Sequence, residues 1–422
     1  MSSLFVKNAS AIVTCDEQDT VLENAGILIR DGAVAYIGAE SQEADEVLDA
    51  SGCIVYPGLI NTHHHLYQTF SRNLPQVQNM ELFDWLRTLY EIWKNLDGDA
   101  IYHSSVVGMG ELLKTGCTTV FDHHYVFPGG GKLDGGLPPD SVVQTVDEIL
   151  RDCRRAVEKY HDPRPLSMRT VALAPCSPFS VSAELLRQSA ILARDLGVRL
   201  HTHLCETKDE ERYVLEKHGK RPLAYMEDLG WVGPDVWYAH GIHFNDEELK
   251  LLADTGTGVA HCPISNMKLS SGVCRLPEML ELGVPVGLAV DGSASNDGSN
   301  LLEELRAAYL LHRLCSSEKA PSGYDLLKIA TRGSARVLGR ADIGSLEPGK
   351  AGDLFMIRRD RLELVGADLD VKSMLGTVGF KGPVDATVVN GRVVVKDGRL
   401  TGIDEEKAVR EARACCQAYL NR

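Results

Sequence analysis

The chain has 422 residues, enough to bury a large core in one big domain or two smaller ones. With 59 acidic residues against 44 lysines and arginines, its net charge of −15 excludes a broad basic surface for a nucleic-acid backbone, and no Arg/Lys run supplies a local one. Eleven cysteines, an odd number without a C-x-x-C pair, read as reduced thiols of a cytoplasmic protein, with Cys415 and Cys416 packing a helix. No run approaches the roughly 18 apolar residues of a membrane span. Met1 to Gln18 has no basic start followed by a long apolar stretch, so neither a membrane nor a secretory route is expected.

From Leu4 to Val55 short apolar runs alternate with turn signals, as in Ala11-Ile12-Val13-Thr14, Gly26-Ile27-Leu28-Ile29 and the hairpin position Asp31-Gly32. The pattern returns late in the chain in Leu354-Phe355-Met356-Ile357 and in Ala386 to Val395, which carries an Asn390-Gly391 turn. Neither end has the strands to enclose a core alone, so residues 1–55 and 345–400 are expected to form one small β-sandwich domain, followed by a C-terminal helix over 401–422.

Residues 56–344 alternate strand-like and helical runs, the pattern of an α/β protein whose parallel strands are joined by helices. After a strand ending at His65 come helical stretches over Met80–Leu86 and Asp99–Leu113. Further strands are predicted at Thr118–Asp122, Thr170–Ala174, Val198–His203, Val236–His240, Gly258–His261 and Val286–Asp291. Nearly all end in, or run directly into, His, Asp or Cys, and a (β/α)8-type TIM barrel keeps its functional side chains at those strand ends. The difficulty is the count, seven strands and not eight. Asp122 to Arg169 holds one helix, about Ser141 to Tyr160, behind two glycine-rich stretches, Gly129-Gly130-Gly131 and Gly135-Gly136. That interval is short by about one strand–helix unit of roughly 30 residues. The favoured reading is that a piece is absent from the chain; a strand hidden in an irregular segment is the other.

His63 and His65 in Asn61-Thr62-His63-His64-His65 lie at i and i+2, so on a strand they point to one face while His64 points away. Two imidazoles held this way make half of a first-row metal site, although adjacent histidines also occur in solvated loops. Leu200 to Glu206 offers a third imidazole, His203 or His201, and Val290-Asp291-Gly292 offers a carboxylate that could equally cap a turn. Three nitrogens and one oxygen leave a position for water, which is how a catalytic zinc differs from a structural one.

These stretches, with Pro57-Gly58-Leu59-Ile60, His203-Leu204-Cys205-Glu206, Ala239-His240-Gly241 and Gly344 to Leu354, resemble the amidohydrolase superfamily in its mononuclear deaminase branch. The resemblance covers nearly the whole chain. It implies one divalent metal, zinc with iron as the alternative, held by His63, His65, His203 and Asp291. It also implies Glu206 as proton shuttle, His240 as hydrogen-bond partner of the attacking water, and Asp291 as acceptor of its proton. Binuclear members carry a lysine at the end of the fourth strand, where Ala172-Leu173-Ala174-Pro175-Cys176 has none, so one metal is expected.

Within that branch the resemblance is greatest to 8-oxoguanine deaminases, also described as hydroxyatrazine ethylaminohydrolases. It is carried by His63 to Thr69, Asp122 to Gly130, Ala174 to Val181 and Asp291 to Asp297. The expected activity is hydrolytic deamination of an oxidised purine by metal-activated water, giving urate and ammonia from 8-oxoguanine. Gln68, Trp85, His124 and Cys176 are the expected contacts to a small heterocyclic substrate. A deaminase of isoxanthopterin, another pterin or guanine, an s-triazine aminohydrolase and a non-catalytic barrel are the competing readings. The resemblance also implies a homo-oligomer.

Overall fold

The computed structural model describes residues 2–127 and 142–422; the Gly129-Gly130-Gly131 and Gly135-Gly136 stretches and the predicted helix start at Ser141 lie outside the described residues. Strands from both chain ends join one nine-stranded sheet, in which Cys53–Pro57 pairs antiparallel with Leu354–Arg358 and parallel with Ser3–Val13. Alternation divides these strands between two cores. Cys53, Val55, Leu354 and Met356 pack with Val6, Ile12 and Val388, whereas Ile54, Tyr56, Phe355 and Ile357 turn into the large core of the barrel. Successive side chains of a strand point to opposite faces, and burial of both faces is why these runs are continuously apolar.

The barrel strands are parallel. Leu59–His64 pairs with Cys117–Asp122, and Leu200–Leu204, Val236–His240, Gly258–His261 and Val286–Leu288 form a second sheet in that order. The two sheets meet where the amide of Asp291 donates to the His63 carbonyl at 3.0 Å and the Thr62 hydroxyl donates to the Leu288 carbonyl at 3.0 Å. The strand expected at Thr170–Ala174 is reduced to a single bridge between Leu173 and Leu200. Among the described residues it has a partner on one edge only. On the other edge, between Leu173 and Cys117–Asp122, no strand lies among the described residues, so the barrel is not closed there. A cavity of about 1640 Å³ occupies the gap, with Val120, Phe121, Ile149, Val171, Leu173 and Trp237 in its wall.

The expected helices are longer or shifted by a few residues. Leu82–Trp93 buries Leu82, Trp85, Leu86, Leu89, Tyr90 and Trp93, one face at the 3.6-residue period, over the mouth of the barrel. Gly98–Lys114 starts at the Asp97 cap. The described helix Val146–Tyr160 starts at a capping box between Thr145 and Glu148, which satisfies two otherwise orphaned amides. The last helix, Glu405–Leu420, is tied down by Tyr419 donating to the Ile92 carbonyl and by a 2.7 Å ion pair between Lys114 and Glu405.

Candidate metal centre and active site

Three imidazoles reach one point because each has its other nitrogen engaged. His65 Nδ1 lies 2.6 Å from the His123 carbonyl and His203 Nδ1 lies 2.5 Å from the Cys176 carbonyl. A carbonyl only accepts, so both Nδ1 atoms carry the proton and both Nε2 atoms present a lone pair. Those two Nε2 atoms are 3.2 Å apart, and the Nε2 atoms of His63 and His65 each lie 3.2 Å from Asp291 Oδ1. His63 Nε2 is buried with no hydrogen-bond partner. Lone pairs and a carboxylate oxygen converging without a proton between them repel one another, and a cation relieves the repulsion. The donor set therefore fits one divalent metal, with three nitrogens and one oxygen.

Electrostatics around the cluster agree with this. Burial pulls His63 well below the usual imidazole range and His203 down to about 3, keeping both as neutral ligands. Burial would raise the Asp291 carboxyl, but the facing imidazoles of His63 and His65 hold it well below the ordinary carboxylate range. Its Oδ2 accepts hydrogen bonds from Ser265 Oγ at 2.6 Å and Ser295 Oγ at 2.9 Å, which leaves Oδ1 turned to the cluster.

Glu206 and His240 complete the centre. Glu206 Oε2 is 3.5 Å from His240 Nε2, and its Oε1 accepts from the Ser271 hydroxyl at 3.3 Å. Burial raises the Glu206 carboxyl, favouring the protonated acid. Burial lowers His240, but the carboxylates of Glu206 and Asp291 outweigh it and the net direction is upward. Asn266 Oδ1, 2.9 Å from His240 Nδ1, fixes the ring.

Beside the cluster is a cavity of about 30 Å³, room for one water, walled by Gln68, Trp85, Cys176, Phe179 and Leu269. Gln68 Oε1 and Trp85 Nε1 are buried there without hydrogen-bond partners, an acceptor and a donor. A Cβ on Gly292 would stand 1.8 Å from Gln68 Oε1, so only glycine allows that amide its place. His124 is not brought to this cavity; it is half-buried, edge-on to Tyr67 and Phe127, in the wall of the larger one. His123 approaches the cluster instead, its Nε2–H donating to the Ala174 carbonyl at 2.8 Å. His64 turns away to Ser299 Oγ. Sequence reasoning missed His123, Asn266, Ser265 and Ser295. Of these only His123 carried a signal, its adjacency to His124 at a strand end.

Residues 54–394 match the amidohydrolase family. The chain is 41% identical over its whole length to the whole of 8-oxoguanine deaminase from Pseudomonas aeruginosa. It is 42% identical to hydroxydechloroatrazine ethylaminohydrolase from Pseudomonas sp. (strain ADP), over 95% of this chain and 92% of that protein. The first alignment runs over 452 positions for a chain of 422 residues, so about 30 of its positions have no counterpart here. The crystal structure of atrazine chlorohydrolase from Arthrobacter aurescens TC1 complexed with zinc has a TM-score of 0.92 at 32% identity, covering 98% of this chain and 100% of that one. Likeness of this extent, in sequence and in fold, leaves one classification: the chain belongs to the amidohydrolase family, as a metal-dependent hydrolase.

Proposed function

We propose that this chain is a hydrolytic deaminase of an oxidised purine, 8-oxoguanine first, releasing ammonia and urate. The observation that carries the reading is the 41% identity to an 8-oxoguanine deaminase across both full lengths. His63, His65, His203 and Asp291 would hold one zinc ion, which when bound would lower the pKa of a coordinated water toward neutrality. Asp291, with Oδ2 held by two serines and Oδ1 held by the Gly292 amide at 2.6 Å on the side of the histidines, would accept the water's proton and pass it to the departing ammonia. Glu206, its carboxyl raised by burial, would hand a proton to the ring nitrogen beside the carbon under attack. His240, anchored by Asn266, steadies the negative charge that develops there.

The unpartnered acceptor of Gln68 and donor of Trp85 suit a ring edge carrying both an N–H and a C=O, with Cys176 in the same wall. Admitting a purine requires part of this wall to give way, and Leu82, Trp85 and Leu86 form one side of it from a single helix, Leu82–Trp93. The same reading treats residues 1–55 with 345–400 as a domain buttressing the barrel, the protein as cytoplasmic, and the assembly as a homo-oligomer. Among the described residues no helix is long and apolar enough to cross a membrane.

The test is ammonia release by zinc-loaded protein from 8-oxoguanine, isoxanthopterin, guanine and hydroxy-s-triazines. Turnover highest on 8-oxoguanine is expected. Activity on the single-ring compounds alone would replace this reading with an s-triazine aminohydrolase, and zinc binding below about 0.2 equivalents would point to a non-catalytic barrel.

A further inference from the structure

We propose that His201, which has no part in the chemistry above, is a positioning residue that fixes the tautomer of His63 and so sets the affinity of the cluster for its metal. The inference rests on the metal site just described and goes beyond it.

His201 and His203 are two residues apart on Leu200–Leu204 and so share a face, with His201 one layer deeper in the barrel. His201 stacks on Trp237, with centroids 4.5 Å apart and planes at 25°, and meets Phe121 edge-on at 4.9 Å. Its Nδ1 is 2.9 Å from the Trp237 carbonyl and its Nε2 is 2.7 Å from His63 Nδ1. The carbonyl can only accept, so His201 Nδ1 carries the proton. The ring is fully buried and, among the described residues, no carboxylate is hydrogen-bonded to it, so its Nε2 is a bare acceptor. His63 Nδ1 must then be the donor, and the lone pair of His63 lies on Nε2, which faces Asp291.

A competing state exists. His63 Nε2 is 3.2 Å from Asp291 Oδ1, close enough for an Nε2–H tautomer to donate to that carboxylate and put a proton where the metal belongs. Without an acceptor at His201, Nδ1–H would face aromatic surface with no partner, and the proton would move to Nε2. His65 and His203 are protected from this by backbone carbonyls, which no side-chain substitution removes. Only His63 depends on a side chain.

The experiment compares His201→Phe, which keeps the ring stack and removes the acceptor, with His201→Gln, whose amide oxygen can stand near the Nε2 position. Zinc affinity is measured by competition with a chromophoric chelator, cobalt(II) spectra report the ligand field, and melting of the metal-free proteins checks folding. Loss of such an outer-shell partner typically weakens a metal site by about 10–100-fold, so the phenylalanine variant should bind zinc that much more weakly and the glutamine variant within about threefold of the parent. Equal affinity and the same cobalt spectrum in the phenylalanine variant would overturn the proposal; a parent that binds no zinc would overturn the metal site itself. Nitrogen-15 shifts of the histidine rings in the unsubstituted, metal-free protein decide the matter even if the variants do not fold. Protonated Nδ1 on both His63 and His201 is expected, and a protonated Nε2 on His63 refutes it.

Discussion

At the scale of single residues, the two buried carboxylates near the cluster are divided in role by what faces them. Asp291 meets two imidazoles and two hydroxyls and stays ionised, whereas Glu206 meets one hydroxyl and one imidazole at 3.5 Å and burial pushes it toward the acid. Glu206→Gln keeps the size and removes the transferable proton. It should lower kcat by about 10²–10⁴ while leaving bound zinc unchanged, as steady-state ammonia release and metal analysis of the same samples would show. The i, i+2 spacing made His63 and His65 legible as a pair, and chain pattern placed Glu206 and Asp291 at strand ends. Spacing could not choose between His201 and His203, because both face inward and only depth in the barrel separates them. Nor could it choose between His123 and His124, since adjacent residues at the end of a strand exchange faces with any change of register.

At the scale of elements, the reacting side chains sit where strands stop. Cys205, His240 and Asp291 all have positive φ, at 54°, 74° and 65°, in the left-handed region that side chains other than glycine seldom adopt. The surrounding bonds hold them there. Glu210, wholly buried on the helix Lys208–His218, accepts the amides of Cys205 at 2.8 Å and Glu206 at 2.9 Å. Burial pushes its carboxyl up to about 7, against the pull of those two amides. Glu210→Ala leaves both amides buried and unpaired, at a cost of about 1–3 kcal/mol each. Denaturant titration should show that loss, and kcat should fall more than KM rises, because the turn that aims Glu206 loosens. An unchanged kcat with lowered stability would mean that the turn does not aim Glu206.

A second element-scale expectation concerns acid. His312, on the helix Leu301–Ser316, and His261, at the end of Gly258–His261, meet through their Nε2 atoms at 3.1 Å, both wholly buried. Burial pulls His312 from 6.5 to about 4. Between those values the unfolded chain binds a proton that the folded one refuses, so its contribution to stability is complete above about pH 6.5 and is lost as pH falls toward 4. Urea midpoints measured from pH 7 to pH 4.5 should fall accordingly, and His312→Phe should flatten part of that slope.

At the scale of the whole molecule, no strand among the described residues closes the barrel between Cys117–Asp122 and Leu173, and the 1640 Å³ cavity there shares Tyr125 and Cys176 with the wall of the metal centre. Val120, Phe121, Val171 and Leu173 stand in the wall of that cavity, and covering such apolar surface stabilises a fold. Inserting a strand–helix unit of roughly 30 residues at Asp134–Gly135 should raise the thermal midpoint by about 5–10 °C. Calorimetry of the two proteins checks this, and an unchanged midpoint would mean that the cavity is not where the shortfall lies.

The sequence alone determined the layered α/β plan, the pairing of the two chain ends, a count of seven barrel strands where eight are expected, and the ligand candidates. These are written in period-two alternation, in turn residues and in which residue types end a strand, all of them local. Only the tertiary structure decided that the Thr170–Ala174 strand shrinks to one bridge, because a strand persists through neighbours that the chain order does not reveal. It alone also decided which nitrogen of each histidine is free. That choice depends on carbonyls of His123, Cys176 and Trp237, and on the ring of His201, which the fold brings against the cluster from remote parts of the chain.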